Sequence, residues 1–309
     1  MILCVTPNPA VDRTARVNRV VFGQILRPLE VLALPGGKGL NVARAARALG
    51  AEVVTSGVVG GHAGRWIVEE AAREGLNPHF VEGGNESRTA YVVAGDDGRS
   101  VIVYERGLEQ PEAAFDELLM RLRNELLAGS SFAVFAGGLP AGVDPSFLGR
   151  MVAACNHARV PCLVDSHGPG LQAALAERPS IVKGTKDELA ETGLGPADGD
   201  PMRLAKAVVK AGAGACIVTL GARGAVACSG ADRWRVSVPA QRPVNSVGAG
   251  DAFTAGLVVA LAESCPFDEA LRRAGATGTA SVFELGAGFV NPETVRQLAA
   301  KVRVRRVAT

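Results

Sequence analysis

Short runs of branched apolar residues alternate along the chain with longer segments in which apolar residues recur every three or four positions. The short runs predict strands at 2–5, 53–59, 132–136, 162–165, 181–183 and 216–220. The longer segments predict helices at 39–49, 64–74, 111–128, 145–159, 202–211, 249–263, 267–283 and 292–302. Strands and helices in alternation predict an α/β fold, in which a mostly parallel central sheet is covered by helices on both faces.

Two segments, 14–34 and 88–105, do not follow this alternation. In the second, residues 89–94 and 100–104 predict a hairpin around Asp96, Asp97 and Gly98. Together the two segments predict a small β-sheet separate from the main one. With 309 residues, 48% of them hydrophobic, we expect one large domain over 1–309 that carries this small sheet as a subdomain.

The overall composition narrows the class of protein. Lys and Arg number 33 against 31 Asp and Glu, and a net charge of +2 disfavours nucleic acid and membrane surfaces as partners. The six cysteines have no Cys-x-x-Cys spacing and the four histidines no paired ligand spacing, so we expect reduced cysteines, no zinc site and no catalytic histidine. No leader and no apolar run of membrane length is found, which favours a cytoplasmic enzyme.

The most informative run is Asn245-Ser246-Val247-Gly248-Ala249-Gly250-Asp251, which opens onto an apolar helix. The peptide N–H groups of Gly248, Ala249 and Gly250 lie at a predicted helix start, where an anion is stabilised. Asp251 follows at once and is a candidate base. Phosphoryl transfer to a hydroxyl needs both groups. Taken alone, the run is better interpreted as an ordinary glycine-rich loop with an acid in the first helical turn.

A second glycine-rich run, Pro35-Gly36-Gly37-Lys38-Gly39-Leu40-Asn41, opens another helix. Gly36 and Gly37 would let the backbone approach a small polar ligand. Asn41 could bind hydroxyls as donor and acceptor, and Lys38 could bind phosphate. The alternative is a tight turn with a solvated lysine.

Two common nucleotide loops are missing from the chain. It has no Gly-x-x-x-x-Gly-Lys-Ser/Thr run, and Gly248-Ala249-Gly250 does not continue as a Gly-x-Gly-x-x-Gly turn. P-loop and dinucleotide-binding folds are therefore disfavoured. Residues 219–225, Thr-Leu-Gly-Ala-Arg-Gly-Ala, follow an apolar strand and form either a ligand loop or the turn of a hairpin.

Together, the two glycine runs resemble the catalytic and sugar-binding motifs of the ribokinase-type (PfkB) carbohydrate kinases. The early Thr6-Pro7-Asn8-Pro9-Ala10-Val11-Asp12 is similar to the branch that holds 1-phosphofructokinase, tagatose-6-phosphate kinase and the minor bacterial 6-phosphofructokinase. The resemblance implies a ribokinase-like three-layer sandwich with a small β-sheet lid, formed by about 12–35 and 87–107. In the family such a lid covers the sugar and is commonly the contact of a homodimer.

The resemblance also implies roles for individual residues. Asp12, Arg27, Arg88 and Gly138 would join Gly36, Gly37, Lys38 and Asn41 around the sugar phosphate. Lys183, Thr219, Gly221, Gly224 and Thr279 would contact the nucleotide, and Glu188 would hold magnesium through water. Four residues depart from the family pattern. Gly184 and Thr185 replace a Pro-Asn pair, Gly138 replaces a serine that contacts the sugar, and Arg106 replaces a proline.

The reaction that the resemblance implies is ATP- and magnesium-dependent phosphorylation of a phosphorylated ketohexose. The branch favours fructose 1-phosphate as acceptor and fructose 1,6-bisphosphate as product. Tagatose 6-phosphate and fructose 6-phosphate are the nearest alternatives, followed by a free sugar or nucleoside. A sugar- or nucleotide-binding regulator without turnover and a Rossmann-type oxidoreductase are the more distant ones.

Overall fold

A ten-stranded sheet forms the centre of the protein, in a computed structural model that describes residues 1–307. The strands are β1 Ile2–Thr6, β2 Ala10–Val17, β3 Glu30–Gly36, β4 Val53–Val59, β5 Val81–Glu82, β6 Arg88–Gly95, β7 Ser100–Tyr104, β8 Phe132–Ala136, β9 Cys162–Asp165, β10 Ile181–Thr185, β11 Ala215–Thr219, β12 Ala225–Ser229, β13 Asp232–Ser237 and β14 Arg303–Arg306. The helices are α1 Lys38–Ala48, α2 Gly61–Arg73, α3 Glu112–Leu127, α4 Ser146–Ala158, α5 Gly168–Ala176, α6 Lys186–Ala190, α7 Pro201–Lys210, α8 Ala249–Ala262, α9 Phe267–Ser281 and α10 Pro292–Ala299.

The large sheet has the strand order β14-β13-β12-β11-β10-β9-β8-β1-β4-β5. The strands from β11 to β5 run parallel, whereas β12, β13 and β14 are antiparallel. All six predicted strands are present, and three of them have the predicted bounds. Continuous branched apolar runs therefore identified the strands that are buried on both faces.

Helices cover both faces of this sheet over two separate apolar cores. One core contains residues of α1, α8 and α9, such as Leu40, Leu257 and Leu271. The other contains residues of α3, α4 and α7, such as Phe115, Phe147 and Leu204. The predicted α/β class is thus confirmed. Within residues 1–307, no helix is both long and apolar enough to cross a membrane.

A second, four-stranded sheet has the order β3-β2-β6-β7. The hairpin β6–β7 turns where the sequence predicts it, and β2 pairs with β3 and with β6. The prediction of a separate small sheet is confirmed. This sheet begins only four residues after β1, so it lies directly beside one end of the central strands.

Several elements escaped the sequence analysis. Strands β12, β13 and β14 and helix α5 were not predicted, because β13 and β14 carry many charged residues and α5 is short. The predicted helix 292–302 was too long, since α10 ends at Ala299. The arginines after this helix are exposed, and Arg303–Arg306 forms the edge strand β14 beside β13.

The parallel strands end along one edge of the large sheet. Thr6, Ala136, Asp165, Thr185 and Thr219 are the last residues of β1, β8, β9, β10 and β11. Ligands of open α/β sheets bind beyond this carboxyl edge. The loops after these strands and the starts of α1 and α8 supply the candidate site.

Candidate active site

The two glycine-rich turns meet at the starts of α1 and α8. Gly37 caps α1 and Gly248 caps α8, and the two helices pack against each other. The amide Nδ2 of Asn41, in the first turns of α1, donates to Asp251 Oδ2 at 2.9 Å. Asp251, the candidate base, is therefore in direct contact with the predicted sugar-binding run.

Asp251 is a buried carboxyl group in the first turn of α8, with 6% of its surface exposed. Burial raises the pKa of Asp251 to about 6, because a charged carboxylate loses its hydration. Lys183, Lys38 and the hydrogen bond from Asn41 oppose this shift, whereas Asp165 adds to it. A carboxylate with a pKa near the working pH is suited to accept a proton.

The backbone before Asp251 has the shape of an anion site. Gly248 is in the left-handed region, with φ 83°, and a Cβ there would lie 2.7 Å from Ala287 Cβ. Only glycine fits such a turn without strain. No side chain caps α8, and a Cβ on Gly250 would lie 3.0 Å from Lys183 Nζ. The N–H groups of Gly248 and Gly250 form no hydrogen bond among residues 1–307, whereas that of Ala249 donates to Ser246 O at 3.3 Å. Together with the side chain of Lys183, these groups can stabilise one anion.

Two lysines share one buried carboxylate beside this turn. Lys183 Nζ lies 2.5 Å from Asp165 Oδ2, and Lys38 Nζ lies 2.9 Å from Asp165 Oδ1. Lys38 Nζ also lies 2.5 Å from Glu188 Oε1. The first residue of α1, the end of β9, strand β10 and helix α6 are thereby joined through four charged side chains.

The charges in this cluster keep one another ionised. Burial alone would raise the pKa of Asp165, but Lys183 and Lys38 outweigh it and lower the pKa to about 2. Burial likewise opposes the charge on Lys38, yet Asp165 and Glu188 raise its pKa above the usual range. Lys38 therefore remains cationic at neutral pH, which suits it to bind phosphoryl oxygens.

Glu188, the predicted magnesium residue, is held by its own helix. Its Oε2 accepts from Thr185 N at 2.8 Å in a capping box. No group of three or more Asp, Glu, His or Cys residues within 1–307 could cage a metal ion directly. Asp165 and Glu188 nevertheless place two carboxylates around one cation, Lys38 Nζ. This donor set fits a magnesium ion that binds through water and nucleotide oxygens rather than through a protein cage.

Asp12 and Arg88 lie on the side of the cleft formed by the small sheet. Asp12 accepts from the backbone of Gly37, and a Cβ on Gly36 would lie 2.0 Å from Asp12 Cγ. Burial raises the pKa of Asp12 to about 6, which Arg44 and Arg88 oppose. Arg88 donates to the carbonyls of Asn8 and Glu105. Asp12 therefore lies against the run 35–41, with Arg88 beside it. Position 36 requires glycine, because the carboxyl group of Asp12 occupies the space of a side chain there.

Two other predicted substrate residues, Arg27 and Gly138, form no hydrogen bond with Asp12, Arg88 or the run 35–41. Arg27 is exposed in the segment 18–29 between β2 and β3, and it forms no hydrogen bond or ion pair with residues 1–307. Gly138 follows β8 and is half-buried at the carboxyl edge of the sheet. The three predicted cations, Arg27, Lys38 and Arg88, therefore share no hydrogen-bonding partner among residues 1–307.

The predicted nucleotide residues follow β11. Thr219 ends this strand and donates to the carbonyl of Gly184 at 3.3 Å. Gly221 begins a 3-10 turn with φ 59°, and nothing lies within 4 Å of a Cβ built there. Gly224, with φ 86°, packs so closely that a Cβ would lie 2.0 Å from Val236 O. The loop is the turn of the β11–β12 hairpin. The backbone of Gly221 is accessible to a ligand, whereas that of Gly224 is packed against β13.

Thr279 lies on α9 and is 8% exposed. Its hydroxyl donates to the carbonyl of Gly275 in the same helix at 2.7 Å. The neighbouring Gly278 packs on Phe253 of α8. This part of α9 therefore packs against α8, the helix that carries Asp251.

Sequence reasoning missed two charged residues of this region. Asp165 ends a predicted strand, and its position at the carboxyl edge was the available signal. Arg44, 5% exposed, donates to Asn41 Oδ1 at 3.0 Å, to Pro35 O at 2.6 Å and to Ala287 O at 2.9 Å. Arg44 thereby connects the run 35–41, the hydrogen-bonding partner of Asp251 and the loop that packs against Gly248. It looked like one more charge on an amphipathic helix.

Comparisons with known proteins match nearly the whole chain. A family model described as pfkB family carbohydrate kinase matches residues 6–294. The crystal structure of phosphofructokinase-2 from Escherichia coli in complex with potassium is 27% identical, with a TM-score of 0.88 over 97% of this chain and 98% of that chain.

Two further structures share the fold. A Thermotoga maritima protein described as a possible 1-phosphofructokinase is 23% identical, with a TM-score of 0.90 over 99% of both chains. The Arabidopsis thaliana ribokinase complexed with ribose and ATP is 24% identical, with a TM-score of 0.75 over 96% of this chain and 98% of that chain. These likenesses confirm the predicted ribokinase-like fold.

Proposed function

The chain belongs to the pfkB family of carbohydrate kinases, and we propose that it transfers the γ-phosphoryl group of ATP to a hydroxyl of a phosphorylated ketohexose. The sugar-kinase activity follows from the family, whereas the substrates and the residue roles are our proposal. The observation that carries it is the hydrogen bond between Asn41 and Asp251, because it joins the sugar loop to a buried carboxylate at a helix start.

In this proposal Asp251 accepts the proton of the attacking hydroxyl. The amides of Gly248, Ala249 and Gly250, together with Lys183, stabilise the charge on the phosphoryl group as it moves. Lys38 carries a positive charge between Asp165 and Glu188, at the same end of the sheet. Burial of Asp251 and Asp165 supports this assignment, since electrostatic interactions are stronger where water is excluded.

The nucleotide would lie along the carboxyl ends of β10 and β11. Gly221 supports this position, because open space around a left-handed glycine lets a ligand approach the backbone. Thr219, Gly224 and Thr279 would shape the nucleotide pocket, and Glu188 would order water around a magnesium ion. Magnesium, when bound with ATP, would neutralise charge on the phosphate oxygens.

The acceptor we favour is fructose 1-phosphate. Asp12 and Asn41 are suited to bind sugar hydroxyls, and Arg88 and Lys38 are suited to bind a phosphate. The likeness to Escherichia coli phosphofructokinase-2 supports a fructose phosphate as the substrate class. Fructose 6-phosphate and tagatose 6-phosphate are the competing acceptors.

The small sheet, residues about 12–35 and 87–107, is proposed as a lid within a single domain over 1–309 and as the contact of a homodimer. Its rows of paired residues place Val31, Tyr91, Val93, Val101 and Val103 on one face, around a single charged residue, Arg13, which is paired with Tyr91. Val31, Tyr91 and Val103 are 56%, 43% and 55% exposed. An apolar sheet face of this kind calls for a partner surface. The five buried, unpaired cysteines support a reducing compartment such as the cytoplasm.

A coupled assay of ADP release tests the proposed function. The purified protein would be given ATP and magnesium with fructose 1-phosphate, fructose 6-phosphate, tagatose 6-phosphate, fructose or ribose. We expect the highest kcat/KM with fructose 1-phosphate. Release with a free sugar only would overturn the substrate class, and tight binding without ADP release would favour a regulator.

A further inference from the structure

Gly138 faces a histidine that fills the space of its missing side chain. A Cβ built on Gly138 would lie 2.8 Å from His167 Nε2, closer than real Cβ contacts come. Gly138 is not among the residues with positive φ. A side chain there would therefore meet the imidazole, which would have to move to make room, whereas the backbone conformation itself allows one.

The contact is a direct result of the sheet. Gly138 follows β8 and His167 follows β9, and these neighbouring strands end in register at Ala136 and Asp165. The amide of Gly137 donates to Asp165 O at 2.9 Å, which fixes the two loops side by side. His167 is only two residues beyond Asp165, the carboxylate that binds Lys38 and Lys183.

The ring of His167 is oriented by a carboxylate. Its Nδ1 lies 2.8 Å from Glu191 Oε2. Because an ionised carboxylate can only accept, Nδ1 carries a proton in this pair and Nε2 is left facing Gly138. Nε2 then accepts a hydrogen bond from a hydroxyl when the ring is neutral, or donates one to an anionic oxygen when the ring is protonated.

Nε2 is also reachable by a ligand. The side chain of His167 is 46% exposed, and Gly138 beside it is half-buried. His167 is the N-cap of α5 but its side chain makes no capping hydrogen bond, so its ring is free to serve another partner. Among residues 1–307, Glu191 is its one hydrogen-bonding partner.

We propose that His167 binds the phosphosugar through Nε2 and replaces the serine hydroxyl that the resembled family has at the position of Gly138. The proposal rests on the proposed function. The ring comes from the loop after the neighbouring strand β9, so it presents its nitrogen from a different direction than a serine at 138 would. His167 is then a determinant of which phosphosugar the enzyme accepts, and Glu191 is the residue that positions it.

The test compares three variants with the wild-type enzyme and its best phosphosugar. His167→Ala should raise KM for the phosphosugar roughly tenfold, the usual value of one hydrogen bond to a charged or polar ligand, with little change in kcat or in KM for ATP. Gly138→Ser should also raise this KM, because the new side chain meets the ring. The double variant should regain much of the lost affinity, since a serine then replaces the histidine without a clash.

Two controls separate substrate binding from folding. His157→Ala removes an exposed histidine of α4 and should leave KM unchanged. Thermal unfolding with and without the phosphosugar, in the absence of ATP, reports binding independently of turnover. His167→Ala should retain its melting temperature but lose most of the ligand-induced rise.

The outcomes distinguish the two claims. If the wild-type enzyme phosphorylates a phosphosugar and His167→Ala keeps its KM and its ligand-induced rise, the role of His167 is wrong while the proposed function stands. If the effects of His167→Ala and Gly138→Ser add in the double variant, serine does not substitute for the ring, and the proposed replacement is wrong. If no phosphosugar is phosphorylated, both claims fail.

Discussion

At the scale of single residues, Asp251, the proposed base, lowers the stability of the folded protein when it is ionised. Its pKa in the folded protein is about 6, above the ordinary value of 3.8, mainly because it is buried. The folded state therefore holds its proton more tightly than the unfolded state. This group's contribution to stability is most favourable below about pH 3.8, declines as the pH rises to about 6, and stays unfavourable above it.

Asp251→Asn should abolish the base and relieve this cost. We expect turnover to fall by roughly 10²–10⁴, the usual contribution of a positioned base. At pH 7.5 the variant should melt at a higher temperature, because roughly 3 kcal/mol of unfavourable ionisation is removed. Near pH 4 the difference in melting temperature should disappear. Steady-state kinetics and calorimetry at the two pH values measure both effects, and near-normal turnover would exclude the base role.

The pH dependence of the reaction should report the same carboxyl group. Since Asp251 must be ionised to accept a proton, kcat should decline below about pH 6. Asp12 has a similar pKa, and both were raised by burial. Measurements of kcat between pH 4.5 and 8.5 on the wild type and on Asp12→Asn separate the two. The decline should persist in Asp12→Asn, and a kcat constant down to pH 5 in both proteins would contradict the assignment.

At the scale of elements, the sequence predicted what lies in contiguous motifs. The runs around Asp251 and Lys38 mark helix starts by their glycines, and uniform apolar runs mark the central strands. Contacts between distant segments were not readable. Lys38 pairs with Glu188 across 150 positions, and Arg44 reaches Ala287 across 243. Strands β13 and β14 alternate charged residues with apolar ones and resemble surface segments until their partners are known.

Two glycines in neighbouring turns, one after β11 and one after β12, form a matched pair that tests the proposed nucleotide position. Gly221 and Gly230 have φ 59° and 54°, and neither has an atom within 4 Å of a built Cβ. Alanine should therefore cost each a similar amount of folding stability, about 1 kcal/mol.

Gly221→Ala should in addition raise KM for ATP severalfold, because the methyl group would occupy the space of the approaching nucleotide. Gly230→Ala, in the β12–β13 turn, should leave KM for ATP unchanged. Equal KM values for ATP in both variants would remove the 219–225 loop from the nucleotide site.

At the scale of the whole molecule, the exposed apolar face of the small sheet should govern association. Val103→Arg adds a charge to this face on the edge strand β7, opposite Tyr91 of β6. We expect light scattering to show a dimer for the wild type and a monomer for Val103→Arg. Leu127→Arg, at an apolar position 77% exposed on α3, is the control and should remain a dimer. A monomeric wild type, or dimers of all three proteins, would place the contact elsewhere or exclude it.

The two margins of the ten-stranded sheet have a bearing on solubility. One margin is β5, a strand of only two residues, and the other is β14, in which three of the four residues are arginines. A short edge strand offers few main-chain groups to an added strand, and the arginine side chains of β14 repel the β14 strand of a second molecule. In concentrated solutions, the sheets of different molecules should therefore not pair edge to edge. A deletion or charge reversal within the terminal arginines would expose the molecule to fibril growth from that side.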